Sequence, residues 1–306
     1  MTKNQEQTTN NQLGFLNLHK PFGLTSHDCV AKVRKLLQLK RVGHGGTLDP
    51  KATGVLPIAF GKATRLLSYM PEEKVYHAIV RFGVQTSTDD LEGEVIESAS
   101  ASHLSLEDIQ PHLEAFVGKI TQIPPAYSAI QQGGKRLYEL ARAGKDVDVP
   151  PRTVEVYDIE VLNWQSGDYP ELEIKIACGS GTYIRAIARD LGDKVGTGGT
   201  LAQLIRTRSC AMDLAHSITL ETLSEQLTQG TFTPLSPAIP LAHLPSITLP
   251  TGTAKRWCNG QQVPLEAHSE IPPFIQVYNP DQQFLGIGEP LPQKTPPLLA
   301  PKVVIA

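Results

Sequence analysis

Beyond about Leu241 the chain changes texture: Pro245, Pro250, Pro264, Pro272, Pro273, Pro280 and Pro290 cut it into short apolar runs such as Phe274 to Tyr278 and Phe284 to Ile287. Each proline fixes φ and lacks an N–H, so a long helix or a central strand cannot run through the stretch. Short strands between turns can. The pattern predicts a small all-β module with its boundary near residue 243. The 306 residues therefore divide into a polar tail (1–13), a larger unit (14–243) and a C-terminal module (244–306).

The larger unit mixes strand and helix signals. Phe15 to Leu18 is a short apolar run closed by the turn Lys20-Pro21-Phe22-Gly23. Ser26 stands as an N-cap ahead of Val30, Val33, Leu36 and Leu37, which keep helical spacing. Val55 to Phe60 reads as a strand and Ala63 to Met70 as a short helix. Tyr76, Ala78, Val80, Phe82 and Val84 alternate along one strand face. Ser105 to Phe116 has helical spacing, with Pro111 predicting a kink or a late start. Val154 to Trp164 and Leu172 to Cys178 read as strands, the second running through Gly179-Ser180-Gly181 into a helix with Tyr183, Ile187 and Leu191 on one face. Ile123 to Arg152, with Pro124-Pro125, Gly133-Gly134 and a helical patch Leu137 to Ala143, reads as a long, partly ordered excursion. No internal repeat is present, and the sum is a mixed α/β unit.

Several function classes fall away. No run reaches the ~18 apolar residues that cross a bilayer, and Met1 to Leu13 is too polar for a signal peptide; the expected compartment is the cytoplasm. Cys29, Cys178, Cys210 and Cys258 form no close pair, which points to buried thiols rather than zinc or disulfides. The net charge of −3 is low for a nucleic-acid protein. Its distribution is uneven, however. Lys32 to Lys74 holds nine basic residues against three acidic ones. Lys135, Arg136, Arg142, Lys145 and Arg152 form a second group, and Arg185, Arg189, Arg206 and Arg208 a third. These are solvated faces or phosphate contacts.

Gly43-His44-Gly45-Gly46-Thr47-Leu48-Asp49-Pro50 carries the most chemistry. Three glycines allow close backbone approach to a ligand, and the Asp-Pro step fixes how the carboxylate is presented. Asp49 has no neighbouring carboxylate and no metal-ligand spacing around it. As nucleophile, base, ligand or mere turn cap it stays open on the residues alone. Gly61-Lys62-Ala63-Thr64 is not a nucleotide loop, since the upstream glycine and the Ser/Thr after lysine are missing. Gly181-Thr182-Tyr183-Ile184-Arg185 opens a helix where backbone N–H groups can take an anion. Arg185 is a surface residue or a buried partner for a carboxylate, with Asp49 the nominee. Tyr76, at a strand's start, is core or presents its ring to a pocket.

Taken in order, these blocks resemble the TruB family of bacterial tRNA pseudouridine-55 synthases. The resemblance rests on Gly43 to Pro50, Ala52-Thr53-Gly54-Val55-Leu56-Pro57, Gly61 to Arg65, Lys74-Val75-Tyr76, Thr88-Asp89 with Glu92-Gly93, and Gln122 to Ala129. Gly133 to Tyr138, Gly181 to Arg185 and Asp190-Leu191-Gly192 complete it. It runs from about residue 14 to 240, and the C-terminal part is similar to a PUA-type RNA-binding module. It implies a pseudouridine synthase fold: a mixed, largely antiparallel sheet with flanking helices. It also implies residue roles. Asp49 is the nucleophile, Arg185 its ion-pair partner, and Tyr76 lies against the target base. His44 fills the place of the extruded base, Tyr183 and Leu204 line the base pocket, and 125–152 is a mobile segment that clamps the RNA arm. The implied reaction turns uridine 55 of the tRNA T loop into pseudouridine by base flipping, with no metal or cofactor, no protein partner, no membrane, and a monomeric enzyme. An RNA-binding protein or tRNA-folding chaperone with incidental catalysis is the alternative.

Overall fold

The strand-forming runs gather into one large sheet, onto which most of the helices pack. The computed structural model describes residues 13–127, 131–132, 135–136, 149–265 and 272–305. The polar tail up to residue 12 and most of the expected clamp, including its helical patch, lie outside the described residues. In chain order the strands of the larger unit are β1 (Gly14–Lys20), β2 (Val42–His44), β3 (Thr53–Phe60), β4 (Lys74–Phe82), β5 (Val84–Thr86), β6 (Val95–Ser98), β7 (Gly118–Gln122), β8 (Gln131–Gln132), β9 (Lys135–Arg136), β10 (Arg152–Gln165), β11 (Glu171–Cys178), β12 (Gly199–Ser209) and β13 (Met212–Asp213). The path β1-β3-β12-β4-β11-β10-β7, with β2 beside β3 and β13 beside β12, makes a nine-stranded sheet. Within it β12 and β3 run parallel and the other pairs antiparallel. This is the mixed, largely antiparallel sheet that the family resemblance implies.

Strand β4 shows why the sheet has two unlike faces. Tyr76, Ala78, Val80 and Phe82 are buried, while His77, Ile79 and Arg81 remain partly exposed. The buried face packs against Ile184, Ile187 and Leu191 of the helix Ile184–Lys194 and against Ile109 and Leu113 of the helix Leu106–Leu113. Each large apolar side chain removed from water contributes about 1.5–3 kcal/mol as an upper figure. The other face is polar, with Arg81 paired to Glu171 at 2.7 Å and His77 to Glu173 at 2.5 Å.

Strand β12 departs from simple alternation. Its pairing with β4 slips between Leu201 and Gln203 and again between Arg206 and Arg208, so Leu204 stands opposite Ala78 and Arg206 opposite Tyr76. An extra residue at each bulge resets which side chains face the core. Arg206 is thereby carried into the interior, where it is fully buried.

Local differences from the expectations have physical causes. The helix Ser26–Leu37 is capped by Thr25, not Ser26: Thr25 Oγ1 accepts from the Asp28 N–H at 3.0 Å and the Asp28 carboxylate accepts from the Thr25 N–H at 2.9 Å. That capping box frees Ser26 for another task. Gly61–Tyr69 is a 3₁₀ helix; the Thr64 hydroxyl donates to the Gly61 carbonyl at 3.0 Å and competes with the backbone for it. Tyr183 caps the helix Ile184–Lys194 rather than lying on its face. Pro111 sits inside the helix Leu106–Leu113, which ends two residues beyond it.

After the texture change, β14 (Ser246–Thr248), β15 (Val263–Pro264), β16 (Ile275–Tyr278), β17 (Phe284–Leu291) and β18 (Leu298–Val304) form a five-stranded sheet in the order β14-β16-β17-β18-β15. The module is β-rich, as expected, and adds one helix, Thr251–Cys258, whose Trp257 is fully buried. Ile287, Val303 and Ile305 share a core with Phe15, Val55, Ala63 and Leu66 of the large sheet's surroundings. Arg65 Nη1 donates to the Val304 carbonyl at 3.0 Å across the same seam. No helix among the described residues is long and apolar enough to cross a membrane.

The helix Ile184–Lys194 is held against the sheet by close backbone approach at Gly192. A Cβ there would lie 2.1 Å from the Gly199 nitrogen and 2.2 Å from the Gly198 carbonyl carbon. Gly192→Ala is expected to lower unfolding free energy by about 1–3 kcal/mol, the cost of overpacking, as measured by urea denaturation.

Candidate active site

Asp49 follows a loop whose backbone is fastened at nearly every step. Gly45 N–H donates to the Pro57 carbonyl at 2.8 Å. Gly46 has φ +120°, a backbone conformation that residues with a Cβ rarely adopt, so glycine suits the turn. Ser26 Oγ accepts from Leu48 N–H at 2.8 Å and lies 3.1 Å from the Leu48 carbonyl, to which its hydroxyl donates. The residue freed from capping thus pins the position before Asp49.

Two buried cations complete the fastening. Arg206 donates from Nε to the Val55 carbonyl at 2.8 Å, from Nη1 to that of Thr47 at 3.2 Å and from Nη2 to that of Gly46 at 3.1 Å. Lys20 Nζ donates to the carbonyls of Pro21, Leu24 and Pro50 at 3.0, 2.7 and 3.1 Å. Burial pulls the Lys20 ammonium down to about 8, against the opposing pull of the Cys29 thiol and the Asp49 carboxylate.

The carboxylate itself is left accessible. The Asp49 side chain is 40% exposed and that of Arg185 only 5%, with Arg185 Nη2 3.0 Å from Asp49 Oδ2. The same guanidinium donates to the carbonyls of Thr88 and Tyr127, both at 3.0 Å, and stands 3.6 Å from Asp90 Oδ2. A planar fork suits this fixed, multiply bonded role better than a flexible ammonium would. Four residues on, Arg189 pairs with Asp89 and Asp190, each at 2.8 Å, and donates to the Ile123 carbonyl at 2.9 Å.

Asp49 and Arg185 open onto a cavity of about 460 Å³, also lined by Phe22, Lys51, Leu201 and Leu204. Three of the six expected site residues, Asp49, Arg185 and Leu204, therefore meet at one opening. Tyr76, His44 and Tyr183 do not line it. Tyr76 is 6% exposed; burial raises its phenol above the ordinary range, with the nearby Arg206 charge and its hydrogen bond acting the other way. Tyr183 exchanges hydrogen bonds with Gln122: its N–H donates to Oε1 at 3.1 Å and its carbonyl accepts from Nε2 at 3.2 Å. His44 stands edge-on to His27, with ring centroids 6.3 Å apart.

The structural roles of Lys20, Ser26 and Arg206 are absent from the sequence expectations. Lys20 carried one signal, a lysine at the end of an apolar strand; Arg206 carried none, because the β12 bulges hide its phase. The third basic group is largely spent within the fold: Arg185 and Arg206 are buried and Arg189 is ion-paired. Arg208 stays half-exposed. Among the described residues no group of three or more His, Cys, Asp or Glu side chains could hold a metal ion. Cys29, Cys178 and Cys210 are buried free thiols and Cys258 a partly buried one.

The comparisons with known proteins agree over most of the chain. Residues 34–184 match the TruB family pseudouridylate synthase N-terminal domain, 185–239 the tRNA pseudouridylate synthase B C-terminal domain, and 245–305 the pseudouridine synthase II TruB C-terminal domain. The chain is 60% identical over 277 residues to tRNA pseudouridine synthase B of Trichormus variabilis, covering 90% of this chain and 94% of the relative. To the Acaryochloris marina protein of that name it is 56% identical over 293 residues, covering 96% and 99%. Among solved structures, a chain of a Cbf5-Nop10-Gar1 complex is similar with a TM-score of 0.72 at 26% identity, over 98% of this chain and 87% of that one.

Burial first, then the His27 ring and the Arg206 charge, hold His44 below the ordinary imidazole range. The native state then binds fewer protons than the unfolded chain just below the unfolded pKa of about 6.5, so this contribution to stability is present above that pH and lost as pH falls. Urea midpoints taken at about pH 7.5 and about pH 5.5 should fall further for the parent than for His44→Gln.

Proposed function

The chain belongs to the TruB family of pseudouridylate synthases, and from that premise we propose that it converts uridine 55 in the T loop of tRNA to pseudouridine, with Asp49 as nucleophile. The observation that supports this best is a carboxylate held at 3.0 Å by a buried guanidinium while remaining 40% exposed at a cavity of about 460 Å³. A fixed and accessible carboxylate is what nucleophilic attack on a bound nucleotide needs.

The target base must leave its stack to reach such a cavity, at a cost of a few kcal/mol that pocket and phosphate contacts offset. The N1–C1′ bond then breaks, the uracil turns while trapped, and C5 bonds to C1′. N1 gains a proton and C5 gives one up, so no atom is gained overall and no cofactor is required. Arg185 pairs with Asp49 and aims its carboxylate. Tyr76, its phenol kept protonated by burial, stands behind the cavity lining, meets the base only once RNA is bound, and there helps move the proton. Leu204 bounds the base pocket, Tyr183 joins it once RNA is bound, and His44 takes the place the base leaves in the RNA. Residues 14–243 carry this chemistry. Residues 244–306 form a PUA-like module for RNA, and 125–152 clamp the T arm of a tRNA bound by a monomeric enzyme.

The decisive experiment is incubation with pre-annealed, unmodified tRNA transcript, followed by mapping of pseudouridine along the RNA. One modified position, in the T loop, is expected, and turnover should survive excess EDTA; chelator-sensitive turnover on folded tRNA would overturn the metal-free reading.

Asp49→Asn should abolish turnover while tRNA affinity stays within about tenfold, or about 1.4 kcal/mol. Arg185→Met should lower kcat by about a hundredfold with a much smaller effect on binding. Breaking a buried pair costs about 3–5 kcal/mol, and the partial exposure of Asp49 places the loss at the lower end. Normal kcat with weakened binding would make Arg185 a phosphate contact instead.

A further inference from the structure

We propose that Phe22 and Lys51 form a stacking platform for a nucleotide adjacent to the target uridine, a subsite that rests on the reading of the cavity as a uridine pocket. Phe22 is 62% exposed, the most open aromatic side chain among the described residues. It lines the same cavity as Asp49 and Arg185. Lys51 Nζ sits over its ring, 4.6 Å from the centroid.

An exposed phenylalanine on a loose loop would mean little, but this one is rigidly mounted. The turn Pro21 to Leu24 between β1 and the helix Ser26–Leu37 is tied to the residue after Asp49. Gly23 N–H donates to the Pro50 carbonyl at 2.9 Å, and the Lys20 ammonium bridges the carbonyls of Pro21, Leu24 and Pro50. Gly23 takes φ +85° with nothing near its missing Cβ, so the turn is set by backbone conformation and not by packing of the ring. The ring forgoes burial on a backbone that is tied to the residue after Asp49. Ordering it on binding costs little.

Flipping the target base leaves its neighbours without a stacking partner. An aromatic face beside the flipped position replaces that partner, and does so for any base, because every base has a π-face. Lys51 adds a cation where the backbone of the same nucleotide would pass. Its contact with Glu92 is loose, at 3.8 Å, and its side chain is 48% exposed, so it can exchange that carboxylate for a phosphate. An apolar peptide would leave the ammonium unserved; a nucleotide satisfies ring and charge together.

The test uses a synthetic T-arm stem-loop RNA in which 2-aminopurine replaces, in turn, the nucleotide on each side of the target uridine. Fluorescence on binding and steady-state kinetics are recorded for the parent, Phe22→Trp, Phe22→Leu, Phe22→Ala and Lys51→Gln, with melting curves for each. Binding to the parent and to Phe22→Trp should quench one of the two labelled positions. The leucine and alanine variants should lose that quench and raise KM about tenfold, equivalent to about 1.4 kcal/mol, with kcat changed less than about threefold. Lys51→Gln should reduce the slope of log KM against log salt by up to about 0.7, the single-strand value for one contact. Quenching at neither position in the parent, or a leucine variant that keeps the quench and the parental KM, overturns the platform. If the parent forms no pseudouridine on this RNA the uridine reading itself fails; if it does, failure of the Phe22 variants to differ sinks the platform alone.

Discussion

A guanidinium with no exposed surface is costly unless every N–H finds an acceptor. Arg206 answers much of that demand with the backbone carbonyls of Gly46, Thr47 and Val55 and with the Tyr76 hydroxyl, instead of a carboxylate. The choice of acceptor matters more than the energy of any one bond. A carboxylate partner would have neutralised the charge and left the loop to itself. Carbonyl partners turn the loop's own backbone into the arginine's coordination shell, so the loop cannot relax without uncovering a buried cation. Lys20 repeats the device on the other side of Asp49 through Pro50. Between these clamps the neighbours of Asp49 are tied down by hydrogen bonds while its own carboxylate stays accessible.

The same economy governs charge across the site. Arg185 divides its donors among one accessible carboxylate, one nearly buried carboxylate and two carbonyls. Its attraction for Asp49 is therefore strong enough to orient the carboxylate and not so exclusive as to seal it away. Arg189 is engaged by Asp89 and Asp190. Cations that a count of residues would assign to an RNA footprint are thus internal fittings. The net charge of −3 accordingly understates nothing about the interior and says little about the surface.

Much of the architecture was legible because it follows from short-range rules. The alternation from Tyr76 fixed the two faces of β4, and the prolines after Leu241 foretold a second, β-rich sheet. Thr25 displaced Ser26 as helix cap because two adjacent hydroxyls compete for one role and only tertiary contact with Leu48 decides between them. Arg206 was illegible for a related reason: its burial depends on the register slip between Leu201 and Gln203 of β12, and a bulge has no composition of its own. The pairing of Arg185 with Asp49 joins residues 136 positions apart, which chemistry could nominate but spacing could not measure. The seam between the sheets, through Ile287, Val303 and Ile305, depends likewise on which apolar residues are left over once each unit has filled its own core.

The slips in β12 carry a consequence for how this region can vary among descendants of one ancestor. With Leu204 opposite Ala78 and Arg206 opposite Tyr76, the strand behaves like a reading frame that has been shifted and then shifted back. Exchanging one residue for another within it alters one contact. Losing or gaining a single residue between Leu201 and Leu204 turns every later side chain to the opposite face, carrying Arg206 out of the loop's shell and an unsuited neighbour in. Lineages are therefore free to respell this strand and bound to keep its length.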